Sequence, residues 1–191
     1  RGAKLAGGVA VIKVGAPTLD EDVARVEAAR SSVGRDVRIM VDANQSLTAY
    51  EAIRRGKVYE ELGAFWLEEP LVAHEYEHYG ELAQALSIPV ATGENLYGVG
   101  EFKELIVRRG VDVVQGDLAR LGGVSECVAT GALAAAFGLP YCTHGGGLVN
   151  LNILCALPNA LYLETGPFNE QWREHFVDGC VLAPDGPGFS W

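Results

Sequence analysis

VRIMVDAN (37–44) is a short apolar run that ends on an acid, Asp42. The pattern returns in AFWLEEP (64–70) with Glu68 and in IPVATGEN (88–95) with Glu94, so that the three acids stand 26 residues apart and then 26 again. Near-continuous hydrophobicity is what a parallel strand covered on both faces requires, and each acid then sits at a strand's carboxyl end. An isolated buried carboxylate is costly and clustered ones repel, so three acids on one lattice call for a hard cation that keeps them ionised. Octahedral Mg2+ fits this, because three monodentate carboxylates leave half the coordination sphere open for water or substrate; Mn2+ accepts the same oxygen ligands.

Working outward, further runs of the same kind are GVAVIKVG (8–15), VDVVQGDL (111–118), LPYCTHG (139–145) and ALYLETG (160–166). Amphipathic segments separate them. Thr18-x-x-Glu21 and Thr48-x-x-Glu51 read as capping boxes that open helices, while Gly34, Gly63, Gly110 and Gly138 fall where helices should stop. Strand and helix alternate, which predicts a parallel α/β sheet. An open doubly wound sheet would carry polar residues only at its switch point, whereas here nearly every strand end is polar: Lys13, Asp42 with Asn44, Glu68 with Glu69, Glu94, Asp117, His144 and Glu164. The expected fold is therefore a (β/α)8-type, TIM-like barrel whose strand ends share one mouth. Seven strands are counted over residues 1–166, and the missing first βα unit is expected before Arg1; residues 167–191 are expected to form an irregular segment packing across the barrel, with a hairpin near 184–188.

The chain has 191 residues, 49% of them apolar, and a formal charge of −10, which excludes disorder and argues against a nucleic-acid surface. No apolar stretch has the roughly 20 residues needed to span a bilayer, so no membrane partner is expected. Cys127, Cys142, Cys155 and Cys180 form no CxxC pair and are expected as free thiols, mostly in apolar segments, in a reducing cytoplasm.

Lys13 and His144 stand on strands either side of the three acids, where two proton-transfer groups could flank a substrate, although a solvated lysine and a core histidine are the plainer readings of each. Asp117 either accepts a hydrogen bond from His144, fixing its tautomer, or caps the helix after Gly122 and Gly123. Glu164 is a protonated acid that donates to a developing oxyanion, or the partner of a cation. Gly145, Gly146 and Gly147 leave room beside His144 and free backbone N–H groups for an anion. Asn44, and Arg120 and His74 in loops at the mouth, are candidates to grip polar substrate groups, although a surface residue is the plainer reading of Arg120 and of His74.

KVG on a strand, VDANQSL, WLEEP, TGEN, D-x-x-R-x-GG, a strand-end His after FGLP and a final strand-end Glu occur in this order. The set resembles the enolase superfamily, and within it the mandelate racemase branch. The resemblance implies that Asp42, Glu68 and Glu94 bind Mg2+, that Lys13 matches the second lysine of the family's K-x-K, and that Asp117 and His144 form a histidine–aspartate dyad. It also implies that Glu164 hydrogen-bonds an enediolate, and that a separate N-terminal α+β capping domain covers the mouth. Where the pattern has its first lysine this chain has Val11, so Lys13 lacks the like-charged neighbour that would lower its pKa. That tilts the expectation from racemisation toward dehydration.

The expected function is removal of the α-proton of a hydroxy-carboxylate by way of an enediolate, foremost by a hydro-lyase that takes an acid sugar to a 2-keto acid. Racemisation or epimerisation of a 2-hydroxy acid is the alternative, and a metal-binding barrel without turnover is a reading of another class. The expected partner is a small carboxylate, and a homo-oligomer is expected.

Overall fold

Side chains alternate across a strand, so each apolar run must satisfy two different environments, and the structure, a computed structural model, shows both for residues 9–164. The elements run β1 (Val9–Lys13), α1 (Leu19–Val33), β2 (Arg38–Asp42), α2 (Ala49–Glu61), β3 (Ala64–Glu68), α3 (Tyr76–Ala85) and β4 (Val90–Thr92). They continue with α4 (Val99–Val107), β5 (Val113–Asp117), α5 (Val124–Ala136), β6 (Tyr141–His144), α6 (Leu148–Cys155) and β7 (Ala160–Leu163). The seven strands form one sheet in sequence order, with every neighbouring pair parallel. Each crossover thus advances one strand in the same direction, which curls the sheet into a barrel wall. The segment 167–191, with the hairpin expected near 184–188, and Cys180 lie outside the described residues.

One face of the sheet, with Ile39, Val41, Leu67, Val90, Val114 and Tyr141, packs against helix residues such as Val26, Tyr59, Tyr79, Leu82, Phe102 and Ile153. The other face fills the barrel interior with Met40, Trp66, Ala91, Val113 and Cys142, flanked by Val9 and Tyr162. This double burial is why the strands read as continuous apolar runs. Cys127 and Cys142 are buried free thiols, but Cys155 is exposed, contrary to its apolar surroundings in sequence, because it ends α6 on a turn facing away from the core.

Thr18 makes the complete capping box, its hydroxyl accepting from the Glu21 N–H and the Glu21 carboxylate accepting from the Thr18 N–H. Thr48 makes only half of one: it accepts from the Glu51 N–H, while the Glu51 carboxylate is drawn instead to Arg54 and Arg55. Gly34, Gly63 and Gly138 take positive φ at or just after helix ends as expected. At the end of α4 the left-handed residue is Arg109, with φ +56, and not Gly110. A side chain at Gly110 would lie 2.8 Å from the Tyr79 Cβ, so this glycine serves close packing of α3 on α4.

The loop after β1 is fastened by a buried ion pair. Asp22 of α1, fully buried, accepts from the N–H groups of Gly15 and Ala16, both at 3.0 Å, from Arg55 Nη1 at 2.7 Å and from the Tyr59 hydroxyl at 2.8 Å. These contacts tie the segment that follows Lys13 to both α1 and α2.

Candidate active site

Period two, applied upward from the interior cluster, builds the site. Two residues beyond Met40 on the same face is Asp42; beyond Trp66 is Glu68; beyond Val113 come Gln115 and then Asp117; beyond Cys142 is His144; beyond Tyr162 is Glu164; and Val9, Val11 and Lys13 form the same series on β1. Asp42 and Glu68 are direct register partners, as are Lys13 with Asp42 and Asp117 with His144. Glu94 differs. Glu68 pairs with Ala91, β4 ends at Thr92, and Gly93 with φ +132 turns the chain so that Glu94 reaches the mouth from a loop. A Cβ on Gly93 would lie 2.5 Å from the Gln115 carbonyl oxygen, so the turn admits glycine only.

Asp42, Glu68 and Glu94 are 4%, 7% and 7% exposed. The Lys13 ammonium donates to Asp42. Glu68 accepts from the Trp66 indole N–H at 3.1 Å and lies beside the buried Gln115 amide; even so, burial and then the Asp42 and Glu94 charges push its pKa up to about 7. Glu94 is raised for the same reasons, burial first and then Asp42, against the lowering pull of His144 and Lys13. Each acid is turned to its own protein donor, and among the described residues no three His, Cys, Asp or Glu side chains stand at metal-coordinating spacing. The donor set nonetheless has the chemistry of a hard-cation site: oxygen-only, buried, and unbalanced in charge by mutual repulsion that a divalent ion would relieve.

His144 Nδ1 lies 2.7 Å from Asp117 Oδ2, and its Nε2 lies 3.3 Å from Glu94 Oε2. Asp117 does both jobs that its position allows, because its other oxygen accepts from the Ala119 and Arg120 N–H groups at 2.9 and 2.8 Å. Burial opposes charging of the imidazole, but the Asp117 hydrogen bond and the charges of Glu94 and Glu164 outweigh it and raise the His144 pKa. Burial likewise opposes ionisation of Asp117, and the His144 and backbone hydrogen bonds overcome it and lower its pKa. Asp117→Asn is accordingly expected to lower the His144 pKa, read from the imidazole resonances in an NMR pH titration; an unchanged value would confine Asp117 to the turn.

On Lys13, burial again works against the charge, and the Asp42 hydrogen bond with the Asp42, Glu68 and Glu94 charges outweighs it, so its pKa rises. Glu164 accepts from the Gly145 N–H at 2.6 Å, so the anion that the glycine loop meets here is the protein's own. Asn44, exposed and with φ +44, donates its N–H to Asp42 Oδ1 at 2.8 Å. Arg120 Nη1 is engaged with the Asn95 side-chain oxygen and, at 3.0 Å, with the Glu94 carbonyl, so this group supports the mouth wall. His74 faces Glu101 at 3.3 Å and packs edge-on to Tyr76.

Trp66, Gln115, Glu69 and Asn95 were not singled out by the sequence as site residues. For Gln115 a signal existed, since a glutamine two places before Asp117 in an apolar strand must share its face.

An acid-lined mouth above a parallel barrel defines a class, and comparison with known proteins specifies it. The family model Enolase C-terminal domain-like matches residues 3–191, and the chain belongs to that family. It is 34% identical to the arabinonate dehydratase of Saccharolobus solfataricus over 192 residues, which is 94% of this chain and 51% of that protein. It is 38% identical to the L-talarate/galactarate dehydratase of Salmonella typhimurium over 165 residues, 86% of this chain and 39% of that one. The structure of L-talarate dehydratase from a Polaromonas species, complexed with Mg and L-glucarate, superposes with a TM-score of 0.79 at 34% identity over 90% of this chain and 46% of that chain. The chain thus spans about half or less of the length of these relatives.

Proposed function

We propose that this barrel is the catalytic part of an acid-sugar dehydratase that uses Mg2+ held by Asp42, Glu68 and Glu94. The observation that carries the reading is His144, fixed by Asp117 at one nitrogen and presenting the other to the acid cluster. A bound Mg2+ would supply the positive charge that acidifies the substrate's α-proton. The remaining chemistry belongs to the chain. His144 Nε2 is the atom that gains and loses a proton: from a substrate that turns its α-hydrogen to this side it first takes that hydrogen as a proton, and it then delivers the proton to the departing β-hydroxyl. The C–H electron pair becomes the C=C bond of an enol, the C–O bond breaks, water leaves, and the enol becomes a 2-keto acid. Glu164, which accepts from the Gly145 N–H at 2.6 Å, is the group assigned to hydrogen-bond the enediolate oxygen.

Lys13 is paired with Asp42 and has Val11 in place of a second lysine, which supports elimination over a racemisation that would need Lys13 as a neutral base. The names of the similar proteins support the same choice. The substrate is a small polyhydroxy carboxylate; the buried free thiols support a reducing cytoplasm, and a symmetric homo-oligomer completes the reading.

The test is a panel of aldonic and aldaric acids incubated with the full-length protein, with Mg2+ or with EDTA. Mg2+-dependent 2-keto acid is expected. Recovery of substrate with an inverted α-carbon, or no product from any member, overturns the proposal.

A further inference from the structure

We propose that Glu69 and Asn95, anchored by Arg120, are positioning residues that fix the Glu94 carboxylate and thereby set the affinity of the site for its cation. The inference rests on the reading of Glu94 as a cation ligand.

Glu94 has a problem that Asp42 and Glu68 do not share. Those two stand on strands whose ladders fix their backbones, whereas Glu94 lies beyond the end of β4, after the Gly93 turn. Something else must hold it. Glu69, one residue past Glu68 and fully buried, has no part in the proton transfers described above. Its carboxylate accepts from Asn95 Nδ2 at 2.5 Å. The same Nδ2 lies 3.3 Å from Glu94 Oε1. The Asn95 oxygen accepts from Arg120 Nη1, which also reaches the Glu94 main-chain carbonyl at 3.0 Å. One amide thus joins the ends of β3, β4 and β5: it meets the side chain of Glu94 itself, and the Arg120 that it binds holds the Glu94 backbone.

Two features speak against a merely space-filling role. A fully buried carboxylate is costly where an apolar residue of the same volume would pack without penalty. Glu69 also holds φ at +40, a region that non-glycine residues seldom occupy, and it is kept there by its N–H on the Ala91 carbonyl at 3.0 Å and by the Gln45 N–H on its own carbonyl at 2.6 Å. Groups behind a metal ligand that fix its orientation are where such costs are met.

The test is calorimetric titration of Mg2+ into the full-length protein and its variants. Asn95→Asp sets a second carboxylate against Glu69 and removes the donor to Glu94, and it is expected to weaken Mg2+ binding about 10–100-fold. Glu69→Gln is expected to weaken it as well. Combining the two exchanges acid and amide, so that a donor again faces an acceptor, and the loss in the double variant should be smaller than the product of the single losses. Arg120→Lys, on a half-buried side chain, gives a variant that leaves the buried pair in place and should also raise the Mg2+ Kd. Single variants that bind Mg2+ as tightly as the parent, whatever their thermal stability, overturn the clamp alone. A parent protein that binds no Mg2+ overturns the cation site together with it.

Discussion

Replacing His144 by asparagine is expected to lower kcat about 10²–10⁴-fold on whichever acid sugar the full-length enzyme dehydrates, with the fold intact by circular dichroism. The size follows from the geometry. Nε2 is the only titratable ring atom left to face the acid cluster once Nδ1 is committed to Asp117 at 2.7 Å, and asparagine preserves polarity there while removing the proton shuttle. The loss should fall on kcat more than on KM, because the group acts on bonds that break in the transition state. Retention of both elimination and α-proton exchange with deuterated solvent would remove His144 from the mechanism.

Asp22→Ala carries the largest expected effect on stability, a loss of about 3–5 kcal/mol, because it strands a buried guanidinium together with two loop N–H groups. Arg55 keeps Glu51 at 3.0 Å, which places the loss at the lower end of that range. Urea unfolding of the full-length protein measures it, and a loss no larger than that of an exposed pair, about 1 kcal/mol or less, would contradict the buried network. The network also has a pH signature. Burial favours the protonated form of Asp22, but the Ala16 and Gly15 N–H groups, the Tyr59 hydroxyl and Arg55 outweigh it and hold the carboxyl below its ordinary value. A depressed folded pKa means that this stabilisation is complete above the unfolded value of about 3.9 and is lost as pH falls through the folded one. Asp22→Ala should therefore flatten the acid limb of the stability curve.

The parallel barrel was legible because strands buried on two faces leave a signal that few other elements share, an apolar run closed by a polar residue. VRIMVDAN carries Met40 to the interior, Ile39 and Val41 to the helices and Asp42 to the mouth, and period two alone assigns all four. The even 26-residue spacing of the acids was less exact a guide than it looked. Asp42 and Glu68 share a register, but Glu94 stands three residues beyond the register partner of Glu68, and only the Gly93 turn brings it back to the mouth.

What the sequence could not show were partner choices. The Thr48 box lost its second half because Arg54 and Arg55, three and four residues on along α2, compete for Glu51. Arg109 displaced Gly110 as the left-handed residue because packing of α3 against α4 had a stronger claim on the glycine. Arg120 and His74 are candidates to meet a ligand or plain surface residues by sequence; in the structure Arg120 reaches Asn95 and Glu94 across a strand end and His74 faces Glu101. Glu69 counts in the sequence only as a polar strand-end neighbour of Glu68, because its full burial follows from the backbone turn at φ +40.

The most direct check is Mg2+ binding by the full-length protein and by Glu68→Gln, followed by isothermal calorimetry. Glu68 is chosen because it is the strand-borne acid that burial and its neighbours leave most in need of a cation, with its pKa pushed up to about 7. The parent should take up Mg2+ and release protons as Glu68 ionises, and the variant should bind far more weakly with that proton release gone. Equal affinity and equal proton release in parent and variant would show that the three carboxylates are not the cation site.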